Sequence, residues 1–166
     1  MNSSPSSEAV KVIYLPVMMV FCDKKVVPYR PEDFTSDYRS ANGHLVCSHA
    51  SLPKMKVTHL LDRRGFFHTL SPLKKRCAFL GYFVRVWDFT KMECSVSTAG
   101  PLKMDELLVE AKNWKNDYGR RLRRYLEKQN PEAIFDETQF RLVWESTLKF
   151  MPVSEVDWGK VLDLRK

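Results

Sequence analysis

His59 and His68 stand nine residues apart, with Arg63 and Arg64 between them. Together with Tyr82 they are the residue types that cleave RNA by acid–base chemistry without a metal: one group removes a proton, another returns one, and a cation holds the phosphate. Nothing in their spacing forces the two imidazoles together, and ordinary strand or loop histidines are the preferred reading. No catalytic residue is assigned. Cys47-Ser48-His49 puts two potential ligands on one side of a strand, with His44, His59, His68 and Cys77 nearby in sequence. Structural zinc sites carry closely paired ligands, and one CxH pair does not make one, so no metal site is assigned. Cys47 and Cys77 adjoin no nucleophile turn. GxGxxG, the Walker loop, HExxH and GxSxG are all absent, so no cofactor is implied.

Charge is the chemistry that remains. The chain has 166 residues and a formal net charge of +7. Residues 54–91 carry nine bases and two acids, and residues 112–128 carry seven bases and two acids. Residues 1–53 balance at five of each. Two segments therefore supply the whole excess. They put forward Arg63, Arg64, Lys74, Lys75 and Arg76 from the first, and Lys112, Lys115, Arg120, Arg121, Arg123, Arg124 and Lys128 from the second. If both meet in space, they form one surface suited to a polyanion. The competing reading of the second group is a solvated helix face whose bases offset the helix dipole. The dipole accounts for one or two charges, not for seven in seventeen residues.

The element that positions those seven is predicted to be one long amphipathic helix from Lys103 to Lys128, entered through Gly100-Pro101. Met104, Leu107, Leu108, Ala111, Trp114, Tyr118, Leu122 and Tyr125 recur at three- and four-residue steps and form its apolar stripe. Gly119 is its weak interior position. Asn130-Pro131 ends it, and a second helix follows. Asp136 and Gln139 have the spacing of a capping box, Phe135 and Phe140 that of a hydrophobic staple, and Phe140, Val143, Trp144, Thr147, Leu148 and Met151 form the stripe. Pro152 stops it. Ser154 is placed to cap a short last helix.

Strands come first. Val10 to Phe21 reads as a strand broken near Pro16, turned back at Asp23-Lys24-Lys25 into Val26-Val27. Pro28-Tyr29-Arg30-Pro31 formally matches a PxxP ligand but reads as a structured loop. His44 to His49 and Met55 to Leu61 are two more strands. Asp62-Arg63-Arg64-Gly65 is a turn with two exposed cations, and Ser71-Pro72 marks a loop. Cys77 to Trp87 is the longest apolar run and is expected to be a central strand. Gly81-Tyr82-Phe83-Val84 within it is similar to the aromatic strand of an RNA-recognition motif, but Leu80 stands where a base belongs and the helix order is wrong, which excludes that fold. Met92 to Thr98 alternates as a half-buried antiparallel strand. Cys22, Cys47, Cys77 and Cys94 are expected to be buried free thiols.

Strands preceding helices define an α+β domain: an antiparallel sheet of about five to six strands followed by a pair of α-helices packed on it. A flexible tail over residues 1–9 and a single domain over 10–166 are expected. The serine-rich start lacks the order of a signal peptide, and no apolar run is long enough to span a bilayer. The expectation is an intracellular protein, soluble or peripherally bound to a membrane. The leading reading is a non-enzymatic binding or assembly protein that engages nucleic acid, RNA before DNA, or an anionic membrane surface. In general type, a small basic β-rich chain with a flexible start, it resembles viral matrix proteins. That resemblance, carried by composition, implies contact with a nucleoprotein and an acidic membrane. The alternatives are an immunity, inhibitor or adaptor protein for an acidic partner, and a small metal-independent ribonuclease. An exposed sheet edge leaves self-association possible.

Overall fold

The computed structural model describes residues 12–29, 45–48, 57–72, 91–150 and 152–163. The expected tail (1–9), the apolar run 77–87 and the basic cluster 74–76 lie outside them. Proline cannot donate to a ladder, and the first apolar run accordingly divides at Leu15-Pro16. β1 (Val12–Tyr14) and β2 (Val17–Phe21) belong to different sheets. A tight turn returns β2 into β3 (Val26–Tyr29), with Lys24 at φ 72° and hydrogen bonds from Phe21 N to Lys25 O and from Lys24 N to Phe21 O. β3 runs through Pro28, where a loop was expected. It is tolerated because β3 is an edge strand of the sheet. β4 (Leu45–Ser48), β5 (Val57–Asp62), β6 (Phe67–Pro72) and β7 (Lys91–Ala99) complete a six-stranded antiparallel sheet in the order β3-β2-β5-β6-β7-β4.

β6 is the strand without a sequence signal. Its pattern Phe-His-Thr-Leu-Ser-Pro carries three polar residues, and Ser71-Pro72, expected in a loop, pair with Ser95 and Cys94 of β7. It is nonetheless an interior strand, because β7 pairs along its whole length and β5 along Phe67–Thr69.

The two-residue period sends side chains to opposite faces. Met18, Val20, Val26, Leu61 and Phe67 pack against the helices. Val17, Met19, Leu60, Leu70 and Val96 pack on the other side with Ile13, Leu15 and Leu162. Those last three come from a two-stranded ribbon, β1 with β8 (Val161–Asp163), in the register Val12↔Asp163. The chain's described beginning and end are thus paired, a pairing that the weak pattern of Val161–Asp163 does not announce.

The long helix expected over 103–128 is two helices. α1 (Met104–Ala111) and α2 (Asp117–Glu127) are separated by residues 112–116. α1 begins at Met104 rather than at Pro101, and Glu106 accepts the Lys103 N–H at 2.8 Å. α2 is started by Asn116, whose Oδ1 accepts the Gly119 N–H at 3.0 Å. Asn116 Oδ1 also accepts Val26 N–H at 2.9 Å, and its Nδ2 donates to Val26 O at 2.7 Å. Asn116 takes an extended backbone (φ −83°, ψ −179°) to cap α2 and clasp Val26, so capping and tertiary contact override the 3.6-residue period. The stripe survives the break: Met104, Leu107, Ala111, Trp114 and Leu122 are buried, and Leu108, Tyr118 and Tyr125 pack against them.

The second helical stretch forms as expected at its start. Asp136 accepts Gln139 N–H at 3.0 Å, and Phe135 meets Phe140 edge-on at 6.3 Å. α3 (Glu137–Leu142) then widens into a π-helical turn at Val143–Thr147. Phe140, Val143, Trp144 and Leu148 are all buried. Ser154 lies inside a 3-10 turn, Val153–Glu155, and Pro152 precedes that turn where a capping serine was expected. Among the described residues, no helix is long and apolar enough to cross a membrane. The architecture is the expected α+β one: an antiparallel sheet followed in sequence by helices packed on one face, with the β1–β8 ribbon on the other.

Candidate polyanion interface

The break between α1 and α2 makes the site. Where the helix opens, residues 112–116 meet the β2–β3 turn, and Lys115 N donates to Lys24 O at 2.8 Å. Between them is an open groove of about 510 Å³, lined by Lys24, Lys112, Asn113, Trp114, Lys115, Arg120 and Arg123. Five of these seven side chains are cationic and none is a carboxylate. Trp114 is 3% exposed and forms the floor rather than a stacking surface.

The two arginines are held in place without being neutralised. Arg120 Nη1 donates to Lys115 O at 2.5 Å, and Arg123 Nη1 to Trp114 O at 3.4 Å and Lys112 O at 3.5 Å. These carbonyls are left open by the helix break. A guanidinium fixed on a carbonyl keeps its full charge and its remaining donors for a bidentate contact with phosphate or carboxylate. Lys112 and Lys115 are exposed, and among the described residues neither is ion-paired. The lining thus carries positive charge from two separate stretches of chain and no carboxylate.

The other cations of the second segment go elsewhere. Arg121 pairs with Asp117 at 2.8 Å and donates to Leu148 O at 3.1 Å, tying α2 to the π-helical turn. Arg124 and Lys128 are exposed on the last turn of α2, outside the groove lining. Lys24, a groove residue, comes from the charge-balanced first segment. Composition windows hide it, and only the turn at Asp23-Lys24-Lys25 places it at a loop tip.

Arg63 and Arg64 do not join the groove. β2 and β5 run antiparallel with Val17 opposite Asp62 and Phe21 opposite Val57. The turn bearing Arg63 and Arg64 therefore lies at one end of this strand pair and Lys24 at the other, roughly 15–20 Å apart for a five-residue strand. Nor are both exposed, as the turn chemistry implies. Arg63 is 4% exposed, donates from Nε to Leu15 O at 2.9 Å, and pairs through Nη1 with Glu137 at 2.8 Å. Arg64 remains open to solvent. Lys74, Lys75 and Arg76 fall outside the described residues.

The histidines are placed apart. His68 is fully buried, with Nε2 at 2.8 Å from Asp62 Oδ2 and Nδ1 at 2.8 Å from Thr98 Oγ1. Asp62, also fully buried, further accepts Tyr14 N–H at 3.3 Å, Arg64 N–H at 3.0 Å and Phe66 N–H at 3.1 Å. This is a satisfied network that pins β1, the β5–β6 turn and β7. His59 projects to the helix face and stacks on Phe67 at 4.8 Å. Burial holds its pKa below the usual value, with Glu110 opposing that shift and Lys24 adding to it. The CxH pair and Tyr82 extend into residues outside the described set, and among the described residues no three metal-ligating side chains cluster. Cys22, expected to be buried, is exposed beside the β2–β3 turn.

The fold and site define a class: an α+β protein with a cationic groove where two helices and a strand turn meet. No family model, curated protein or solved structure matches the chain.

Proposed function

We propose that this chain is a non-enzymatic binding protein whose groove between the β2–β3 turn and the α1–α2 break receives the phosphates of a single-stranded nucleic acid, RNA in the first place. The observation that carries the reading is the groove's charge: five cations drawn from two distant segments, no lining carboxylate, and two guanidiniums oriented by backbone carbonyls. Of the residues marked by sequence, Lys112, Lys115, Arg120 and Arg123 form this site, and Lys24 completes it. A single strand is flexible enough to bring successive phosphates against cations set on a turn and two helices, which favours it over a stiff duplex.

The experiment is binding of labelled single-stranded RNA, duplex DNA and anionic liposomes across a salt titration, with wild type and the Lys112→Glu/Lys115→Glu variant. RNA binding that is lost in the variant supports the proposal. Absence of RNA binding at low ionic strength removes it. Binding only to liposomes, or capture of an acidic protein with no polyanion affinity, would move the assignment to a membrane-associated or adaptor role. RNA turnover is not expected, since both ring nitrogens of His68 are engaged inside the protein.

A further inference from the structure

At the far end of the β2–β5 pair, a second group of side chains has a different character. Glu137, at the start of α3, gathers three arginines. Its Oε1 lies 2.8 Å from Arg63 Nη1 and 3.8 Å from Arg64 Nε, and its Oε2 lies 2.5 Å from Arg141 Nη2. All three also lie over aromatic rings, the buried Arg63 at 5.1 Å from the Tyr14 ring centroid, and the two exposed ones more closely. Arg64 is 4.6 Å from the Tyr14 ring centroid, and Arg141 is 4.7 Å from that of Trp158. Their side chains are 53% and 41% exposed. Each guanidinium is thus fixed by a carboxylate, backed by a ring, and open to solvent. Glu137 is shared among all three arginines.

We propose that Arg64 and Arg141 are stacking platforms for two bases of a single-stranded nucleic acid. A guanidinium is planar and weakly hydrated, so a base laid on its outer face gains cation–π and stacking energy without any sequence-specific hydrogen bond. The buried Arg63 supports the cluster through Glu137 and does not itself touch a base. The inference rests on the nucleic-acid reading of the groove. It adds that the protein responds to bases as well as to phosphates.

The test compares an RNA oligonucleotide with an abasic ribose-phosphate strand of equal length, on wild type and on Arg64→Lys/Arg141→Lys. Lysine keeps the charge and discards the plane. Wild type is expected to prefer the base-bearing strand by about tenfold or more, the scale of one stacked base. The variant is expected to lose that preference while its salt dependence stays unchanged. Equal wild-type affinity for both strands, with binding intact, overturns the stacking site and leaves the groove standing. A variant that keeps the preference also overturns it. Failure of wild type to bind either strand at low salt overturns both readings. The wild-type comparison needs no variant, so a misfolded substitution cannot obscure it.

Discussion

At the residue scale, three residues have roles that their types alone do not reveal. Gly119 looks like a weak point inside a helix, yet it is a requirement. A Cβ there would lie 2.6 Å from Trp114 Cβ and 3.1 Å from Asn116 Oδ1. Gly119→Ala gains about 1 kcal/mol of helix propensity but must displace the packed tryptophan, at about 1–3 kcal/mol. A net fall in stability is expected, read as a lower urea midpoint. Asp62 is the acceptor for three backbone amides and for His68, all away from water. Asp62→Ala leaves those donors unpaired and is expected to cost on the order of 3–5 kcal/mol, as measured by the same denaturation. His59 carries a pH dependence. Its folded-state pKa is depressed by burial below the usual 6.5, so the unfolded chain binds more protons in the window between the two values. Its contribution to stability is fully present above about pH 6.5 and is lost as pH falls through the folded-state value. Urea midpoints of wild type and His59→Gln should differ in their pH slope below neutrality; parallel profiles would contradict this.

At the element scale, Asn116 decides the fold of the helical region and the site at once. It caps α2 and clasps both polar backbone groups of Val26. Asn116→Ala removes the cap, worth about 1 kcal/mol, and leaves the Val26 pair without partners, adding on the order of 1–3 kcal/mol. It should also loosen the β2–β3 turn against α1–α2 and so weaken RNA binding beyond the loss of stability, measured well below the unfolding midpoint. A variant of reduced stability with unaltered affinity would show that the turn does not shape the groove. This residue also marks the limit of what the sequence made legible. The strands β1, β2, β3, β4, β5 and β7 follow from their own apolar or alternating runs, and the Asp136 cap and the Phe135–Phe140 staple from partners a few residues away. The helix break does not, since its cause is a contact ninety residues away. β6 and β8 are equally hidden, because their polar and short patterns are strands only by virtue of the neighbours they pair with.

At the scale of the whole molecule, charge is sorted rather than pooled. Sequence windows pointed to two basic segments, and the fold puts Arg63 and Arg64 of the first at the opposite end of the β2–β5 pair from the groove cations of the second. The cations of the helical segment gain Lys24 instead, from a stretch whose net charge is zero. Windowed charge averages over residues that the fold separates and misses single cations that a turn delivers. Arg63 illustrates the same point in reverse: a charged residue in a turn, it is held inside by Leu15 O and Glu137. What survives is a groove whose cations have no internal anion, together with a cluster of guanidiniums backed by aromatic rings.

The most direct test of this account is the dependence of RNA affinity on salt. If the groove's five cations each contact a phosphate, the slope of log K against log salt for single-stranded RNA should be about −3.5, from roughly 0.7 counterions released per contact. Lys112→Glu/Lys115→Glu, which removes two contacts, should make it shallower by about 1.4. A slope near zero, or one that the double substitution leaves unchanged, would contradict the claim that this groove holds a polyanion.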